Sequence, residues 1–308
     1  MVTKLILFVC VTFSLAASAA DLVLKPQMVS QNVYAVIGDF GSQSYENDGL
    51  NNNLGFIVTT EGVVVINSGP SARVAKALHA AIGKVTKQPL KWAINVNSQS
   101  HYWLGNDYFQ ALKIPIIAHK EARRIMSEMG DMQLANLKNT LKEKAEGSKL
   151  AYPTELIKDK REIKLGDVVI QLLSFGSAHT AGDIVVWLPQ QKILFSGDIV
   201  FTERLLGVIP VGNSGGWVKA FDSAMALGPK VIVPGHGKPT DVKQATRDTR
   251  DYLVYTRTAV KKIMDAGGSL NDAVEKVDQS KFKYLLNFDL LARRNLNQIY
   301  TEMEQESF

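Results

Sequence analysis

With 308 residues, 46% of them hydrophobic and 21% charged, the chain can bury a large core, and its composition is not that of a disordered protein. The 35 basic against 30 acidic residues leave a net charge of +5, with no dense Lys/Arg run interleaved with aromatics, so a nucleic-acid surface is not indicated. One domain with a C-terminal extension, or two small domains, is the expectation.

Residues 1–20 carry one positive charge, Lys4, then an apolar stretch over 5–15 and the small run Ala16-Ala17-Ser18-Ala19-Ala20 before Asp21. That order predicts a signal peptide over 1–20, cleaved after Ala19 or Ala20, and the apolar run is shorter than the roughly 20 residues that span a bilayer. The expected location is the periplasm or the medium, with no stable membrane anchor after cleavage. Cys10 is the only cysteine and lies inside this segment, so the mature chain offers no thiolate nucleophile or metal ligand.

Residues 32–37 read as a strand, and 54–59 with 63–66 as a hairpin turning at Glu61-Gly62. Val74, Ala75, Leu78 and Ile82 predict a helix over 71–82 lying on a sheet. Strands follow at 92–96 and 114–117 with a short helix from Asn106 between them, and 121–149 reads as one long amphipathic helix free of proline. Further strands are expected at 168–173, 184–188, 193–195 and 231–233. A Gly-rich loop at 211–216 precedes a helix from Trp217, and helices run from Asp241 to the C-terminus. Two blocks of hairpins, each followed by helices, predict two sheets packed face to face with helices outside.

Four segments carry chemistry: residues 63–70; Asn95-Val96-Asn97-Ser98-Gln99-Ser100-His101-Tyr102-Trp103-Leu104-Gly105-Asn106; Ser177-Ala178-His179-Thr180-Ala181-Gly182-Asp183; and Ser196-Gly197-Asp198 with Pro234-Gly235-His236-Gly237. In order and spacing they resemble the metallo-β-lactamase superfamily over residues 30–240, with wording most like its exported branch of sulfur-oxidation and quinoprotein-relay metallohydrolases. The resemblance implies an α/β fold, the αββα four-layer sandwich, over 21–240 with a helical extension at 241–308. It also implies two divalent ions at the sandwich edge and a hydroxide that attacks an ester, thioester or amide carbonyl. By motif, His179 matches a ligand of the first ion, Asp198 the carboxylate bridging both, and His236 a ligand of the second.

The family's H-x-H-x-D-H-x-x-G-N pattern, aligned on Gly105-Asn106, puts Asn97, Gln99, His101 and Tyr102 where His, His, Asp and His stand in the family. Amide oxygens are poor zinc ligands beside nitrogen donors, so His179 is left to hold the first site almost alone. His101, Asp198 and His236 make a plausible mononuclear set, with Tyr102 as a conditional fourth ligand. Asp198 is the only carboxylate expected within reach, which leaves two divalent ions poorly compensated. Asn67 stands where the family has an Asp that orients a ligand from behind, a partner typically worth roughly 10- to 100-fold in metal affinity.

The cofactor expectation is therefore one divalent ion, zinc or iron or manganese, or a metal-free scaffold. Two functions fit. One is a hydrolase of a small ester, lactone or thioester, with Tyr102 or His179 stabilising charge or moving a proton. The other is a pseudoenzyme that holds a small ligand or a periplasmic protein partner in the old cleft. Asp183 reads as a turn residue that caps backbone, His79 and His119 as packed or surface histidines, and the loop at 211–216 as part of the pocket rim. No motif pairing activates Ser68, Ser98 or Ser100.

Overall fold

The computed structural model describes residues 21–307; the expected signal peptide, with Cys10, lies outside the described residues. Seven strands form the first sheet in chain order: β1 (Gln27–Ser30), β2 (Val33–Val36), β3 (Leu54–Val58), β4 (Val63–Ile66), β5 (Leu90–Asn95), β6 (Ile116–His119) and β7 (Glu155–Ile157). Pairing is antiparallel from β1 to β4 and parallel from β4 to β7. The second sheet contains β8 (Lys160–Leu165), β9 (Val168–Leu173), β10 (Val185–Leu188), β11 (Ile193–Phe201) and β12 (Val231–His236), in the order β12-β11-β10-β9-β8. Only its β11–β12 pair is parallel.

Three apolar layers hold the sandwich together. Side chains alternate across β4: Val64 and Ile66 face the second sheet, meeting Val186, Leu188 and Phe195, while Val63 and Val65 pack outward with Val74, Leu78 and Ile82 of α1 (Ala72–Val85). Ser71 caps that helix, its side chain accepting from Val74 N. The short helices α2 (Ser100–Trp103) and α3 (Asn106–Ala111) follow β5, and α4 (Lys120–Leu141) follows β6. On the far side, Trp217, Ala220 and Phe221 of α5 (Ser214–Met225) bury against the second sheet. The C-terminal helices join the same cluster: α6 (Val242–Ala245), α7 (Asp251–Asp265), α8 (Leu270–Lys276) and α9 (Phe288–Gln305). Among the described residues no helix is long and apolar enough to cross a membrane.

Several elements differ from the sequence reading. The helix expected over 121–149 stops at Leu141: Lys142 takes φ +52°, and a short 3₁₀ turn at Lys142–Ala145 buries Ala145 beneath the helix. Amphipathic spacing continues through this bend, so periodicity alone overruns it. The helix expected from Trp217 begins at Ser214, taking in two glycines of the supposed loop. Its first turn is held by Asn213, which accepts from Gly216 N, and by Glu302 of α9, which accepts from Ser214 N and Gly215 N. The strand expected at 193–195 runs on as β11 to Phe201, and β12 reaches His236, so both carry chemistry-bearing residues within strands. β1, β7, β8 and α2 are short elements that the sequence pattern does not mark.

Candidate active site

Every residue singled out by motif arrives at one edge of the sandwich. Asn97 and Gln99 follow β5, His101 and Tyr102 lie on α2, and His179 lies between β9 and β10. Asp198 sits within β11, and His236 ends β12. The β11–β12 register is irregular around Gly197, which takes φ +51°, and Asp198 is turned into the site there. Close approach sets the opposite wall: a Cβ on Gly235 would fall well inside contact distance of Asp198 Oδ1 and Tyr102 Oη.

His101, Asp198 and His236 are buried, each offering one ligand atom, and those atoms lie within 4.8 Å of one another. His236 Nδ1 donates to the Asn51 carbonyl at 2.5 Å, which leaves the Nε2 lone pair 3.3 Å from Asp198 Oδ1. His101 Nε2 is buried and has no hydrogen-bond partner. The group therefore brings the Nε2 lone pair of His236, a carboxylate oxygen and the unpartnered His101 Nε2 to one point. A divalent cation fits that donor set: two borderline nitrogens and one hard oxygen suit zinc, iron or manganese. Burial drives the His101 imidazole down to about 3, with His179 next in effect, and holds His236 well below its ordinary value, helped by the Arg204 charge. Both rings are thus neutral, the state a ligand requires.

Around Asp198 the arrangement is different. Tyr102 donates its hydroxyl to Asp198 Oδ1 at 2.5 Å, and Asn97 Nδ2 donates both to Asp198 Oδ2 at 3.0 Å and to Asp183 Oδ1 at 2.9 Å. Asp183 is therefore a second buried carboxylate beside Asp198, which corrects the expectation of a single acid within reach. It does cap backbone, accepting from Thr180 N at 2.7 Å, but its other oxygen faces Asn97. Burial pushes the Asp183 carboxyl up to about 7 and Asp198 well above its ordinary range.

His179 stands across this network from the triad. Its Nε2 donates to Gln99 Oε1 at 2.8 Å and lies 3.6 Å from Asp198 Oδ2, and a proton on Nε2 takes that nitrogen out of coordination. The ring packs edge-on against Trp217, with centroids 4.9 Å apart. Asn67, at φ +63°, accepts from Val96 N and donates to the Asn53 carbonyl, so it ties two backbone segments together. His79 bonds the Tyr108 hydroxyl, and His119 caps α4 by accepting from Glu121 N, both packed roles.

The motifs gave no hint of three participants. Asn51 fixes the His236 tautomer, and neighbouring Asn53 donates to the carbonyls of Pro234 and Gly237, binding the loop at 37–53 over the end of β12. The run Asn51-Asn52-Asn53 just before a strand was the available signal. Arg204, beyond the end of β11, reaches in with Nη1 3.3 Å from His236 Nδ1 and donates to the Gly41 carbonyl at 3.0 Å. The residue pairing with it is Leu286 of the C-terminal extension, which shares backbone hydrogen bonds with Glu203 and Leu205. A groove of about 790 Å³ on the outer face of α1, lined by Leu22, Ala77 and Lys84 among others, contains none of these groups.

Comparison with known proteins agrees with this architecture. The family model of the metallo-beta-lactamase superfamily matches residues 47–236. The metallo-beta-lactamase IND-1 of Chryseobacterium indologenes is 24% identical over 226 residues, 72% of this chain and 84% of the relative. A linear primary-alkylsulfatase of a Pseudomonas species is 27% identical over 134 residues, 41% of this chain but 25% of its own. Among solved structures, the metallo-beta-lactamase from Pontibacter korlensis superposes with a TM-score of 0.62 at 22% identity, covering 75% of this chain and 99% of that one. The stereoselective inverting sec-alkylsulfatase Pisa1 from Pseudomonas sp. superposes with a TM-score of 0.71 at 17% identity, covering 90% of this chain and 50% of that one. A two-sheet sandwich with its buried His/Asp cluster at one edge, matched by a family model through the motif-bearing strands, means that the chain belongs to the metallo-β-lactamase superfamily.

Proposed function

We propose that the chain is an exported, metal-dependent hydrolase with one divalent ion held by His101, Asp198 and His236, acting on a small ester, lactone or thioester. The superfamily is hydrolase-like and typically binds a divalent metal such as zinc, and relatives named as β-lactamase and alkylsulfatase support hydrolysis as the reaction type. The carrying observation is the convergence of the two neutral imidazoles and the Asp198 carboxylate, with His101 Nε2 buried and unpartnered. When bound, such an ion supplies Lewis acidity and lowers the pKa of water. The chain's own groups do the rest. Asn51 holds the His236 tautomer, Tyr102 keeps a proton on the site side of Asp198, and the sandwich walls exclude bulk water. The pattern of residues 1–20 supports export and processing.

The amides explain why one ion rather than two. Asn97 and Gln99 place hydrogen bonds where the family pattern has imidazoles, occupying Asp183, Asp198 and His179. The same network favours a second reading, a catalytically inactive binding module, because both Asp198 oxygens already have protein donors. Elemental analysis of untagged protein from the periplasm, beside His236→Ala, decides between them. About one zinc, iron or manganese per chain, absent from the variant, is the expected result. Metal below about a tenth per chain in both, with thermal stability indifferent to chelator, would sink the hydrolase reading.

A further inference from the structure

The irregular stretch of β11 that turns Asp198 into the site also unsettles the ladder. Gly197 pairs with Pro234 and Phe201 with His236, so 197–201 on β11 lies against the shorter 234–236 on β12. Backbone groups freed by such a bulge need partners elsewhere if they are buried. The C-terminal helices supply them. Thr249, fully buried, donates its hydroxyl to the Phe201 carbonyl at 2.6 Å and accepts from Phe201 N at 3.0 Å. Asp248, equally buried, accepts from Glu203 N at 3.1 Å. Successive side chains of an α-helix diverge by about 100°. The turn Thr246–Arg250 is instead widened into a π-helix, with Asp251 N donating to the Thr246 carbonyl, five residues back. Such turns are rare and occur frequently at functional sites. This one brings Asp248 and Thr249 together onto the end of β11.

What they hold is the wall behind a metal ligand. The Phe201 ring stacks on the His236 imidazole, with centroids 4.7 Å apart and planes 20° from parallel, and its centroid is 5.6 Å from that of His179. The hydrogen bond to Asn51 fixes one axis of the His236 ring, and the flat contact with Phe201 fixes its plane. Together they aim Nε2 at Asp198. The clamp continues along the chain: Tyr284 donates its hydroxyl to Asp248, and Leu286 exchanges backbone bonds with Glu203 and Leu205. Thr249, Asp248, Tyr284 and Leu286 all lie past residue 236, where the family-model match ends. We infer that Thr249, with Asp248 beside it, is a positioning residue for the metal centre. It fixes Phe201 and thereby the His236 ring, which makes the C-terminal extension a working part of the site. The inference deepens the hydrolase reading and rests on it for the metal.

Three variants of the full chain test it: Thr249→Val keeps the shape and loses both bonds, Thr249→Ser keeps the hydroxyl, and Val260→Ala is a purely apolar loss in the same helical layer. Zinc competition against a chromophoric chelator gives the affinity. Proton NMR of the metal-free protein gives the His236 ring resonance, assigned among the five histidines with His236→Ala. Zinc affinity is expected to fall about tenfold or more in Thr249→Val, the scale of a lost partner behind a ligand, and to stay within about threefold in the other two. The His236 resonance, set by the ring current of the stacked Phe201, is expected to move in Thr249→Val alone. Unchanged zinc affinity in Thr249→Val, an equal loss in Thr249→Ser or Val260→Ala, or an unmoved resonance would overturn the assignment. If Thr249→Val does not fold, Thr249→Ala takes its place, where a weakening of about threefold or more is expected and an unchanged affinity is contrary. A wild type that takes up no zinc would be a failure of the hydrolase reading, and the metal-free resonance would then decide the positioning of His236 by itself.

Discussion

Replacing Tyr102 with phenylalanine removes one oxygen and leaves the fully buried ring in place, which separates two roles for the phenol: metal ligand, or proton donor to Asp198. In the metal-free protein the variant loses a 2.5 Å charge-assisted hydrogen bond, and such bonds contribute about 1.5–3 kcal/mol. The loss is limited at the low end. Burial already holds the Asp198 carboxyl well above its ordinary range, the Tyr102 bond pulls it back, and without that bond the acid takes up a proton more readily. We expect a destabilisation of about 2 kcal/mol at pH 7, or about 4 °C in Tm for a chain of this size. Zinc affinity should stay within about threefold, because Asp198 Oδ1 keeps its lone pairs and loses only a competitor. Thermal unfolding of chelator-treated protein and zinc competition against a chromophoric chelator measure the two quantities. A zinc affinity more than about tenfold weaker would make Tyr102 a ligand and refute this reasoning, and an unchanged Tm would remove the hydrogen bond.

Gly235→Ala should cost about 1–3 kcal/mol by forcing Asp198 and Tyr102 apart, with zinc affinity falling about tenfold or more; wild-type zinc binding would show that the wall is not close-packed. Asn97→Ala leaves Asp183 and Asp198 facing each other without their shared donor, for a loss of about 2–4 kcal/mol that is largest above about pH 7, where neither acid keeps a proton to donate, and smaller below it; urea midpoints at about pH 6 and pH 9 check it. Folded-state imidazoles at about 3 for His101 and His179, with His236 also depressed, mean that the unfolded chain binds their protons first, so stability falls as pH drops below about 6.5. Asp183 at about 7, Asp107 at about 6 and Asp198, also raised, act oppositely by taking up protons in the folded state, which blunts the loss toward acid. Metal-free stability from about pH 6.5 to about pH 4, compared between the wild type and His101→Asn, isolates the histidine part: an acid loss as steep in the variant would contradict a neutral, buried His101.

What was legible in the sequence is what local periodicity and motif spacing encode. The alternation of Val63 to Ile66 and the spacing of Val74, Leu78 and Ile82 give a strand and a helix on opposite sides of the same apolar layer, and the structure has both. Motif order likewise brought Asn97, His101, Tyr102, His179, Asp198 and His236 to one edge. Contacts between residues far apart in the chain were beyond reach. Asp183 has a local turn role that the sequence shows and a partnership with Asn97, 86 residues away, that it does not. Arg204 and Asn51 sit on irregular segments with no motif, and their parts come from Gly41 and His236. The C-terminal helices show apolar spacing, yet nothing in it tells that Leu286 pairs with the segment carrying Arg204.

The two sides of Asp198 differ in who supplies the positive end of each interaction. Toward His179 the protein supplies it: one amide of Asn97 serves two carboxylates, and the Gln99 oxygen takes a proton from the imidazole, although His179 Nδ1 is buried without a partner. Toward His236 the protein withholds it. The His236 proton is turned away to Asn51, His101 Nε2 has no partner, and the Arg204 guanidinium approaches from behind the ring and leaves its own Nε unmatched. A fold under no constraint beyond stability would be expected to satisfy these groups, since each unmatched buried polar atom costs about 1–3 kcal/mol. Leaving the triad side short of positive charge, while amides bridge the side toward His179, asks for a guest of positive charge at the imidazoles, and a single divalent ion is the guest the proposed hydrolase needs.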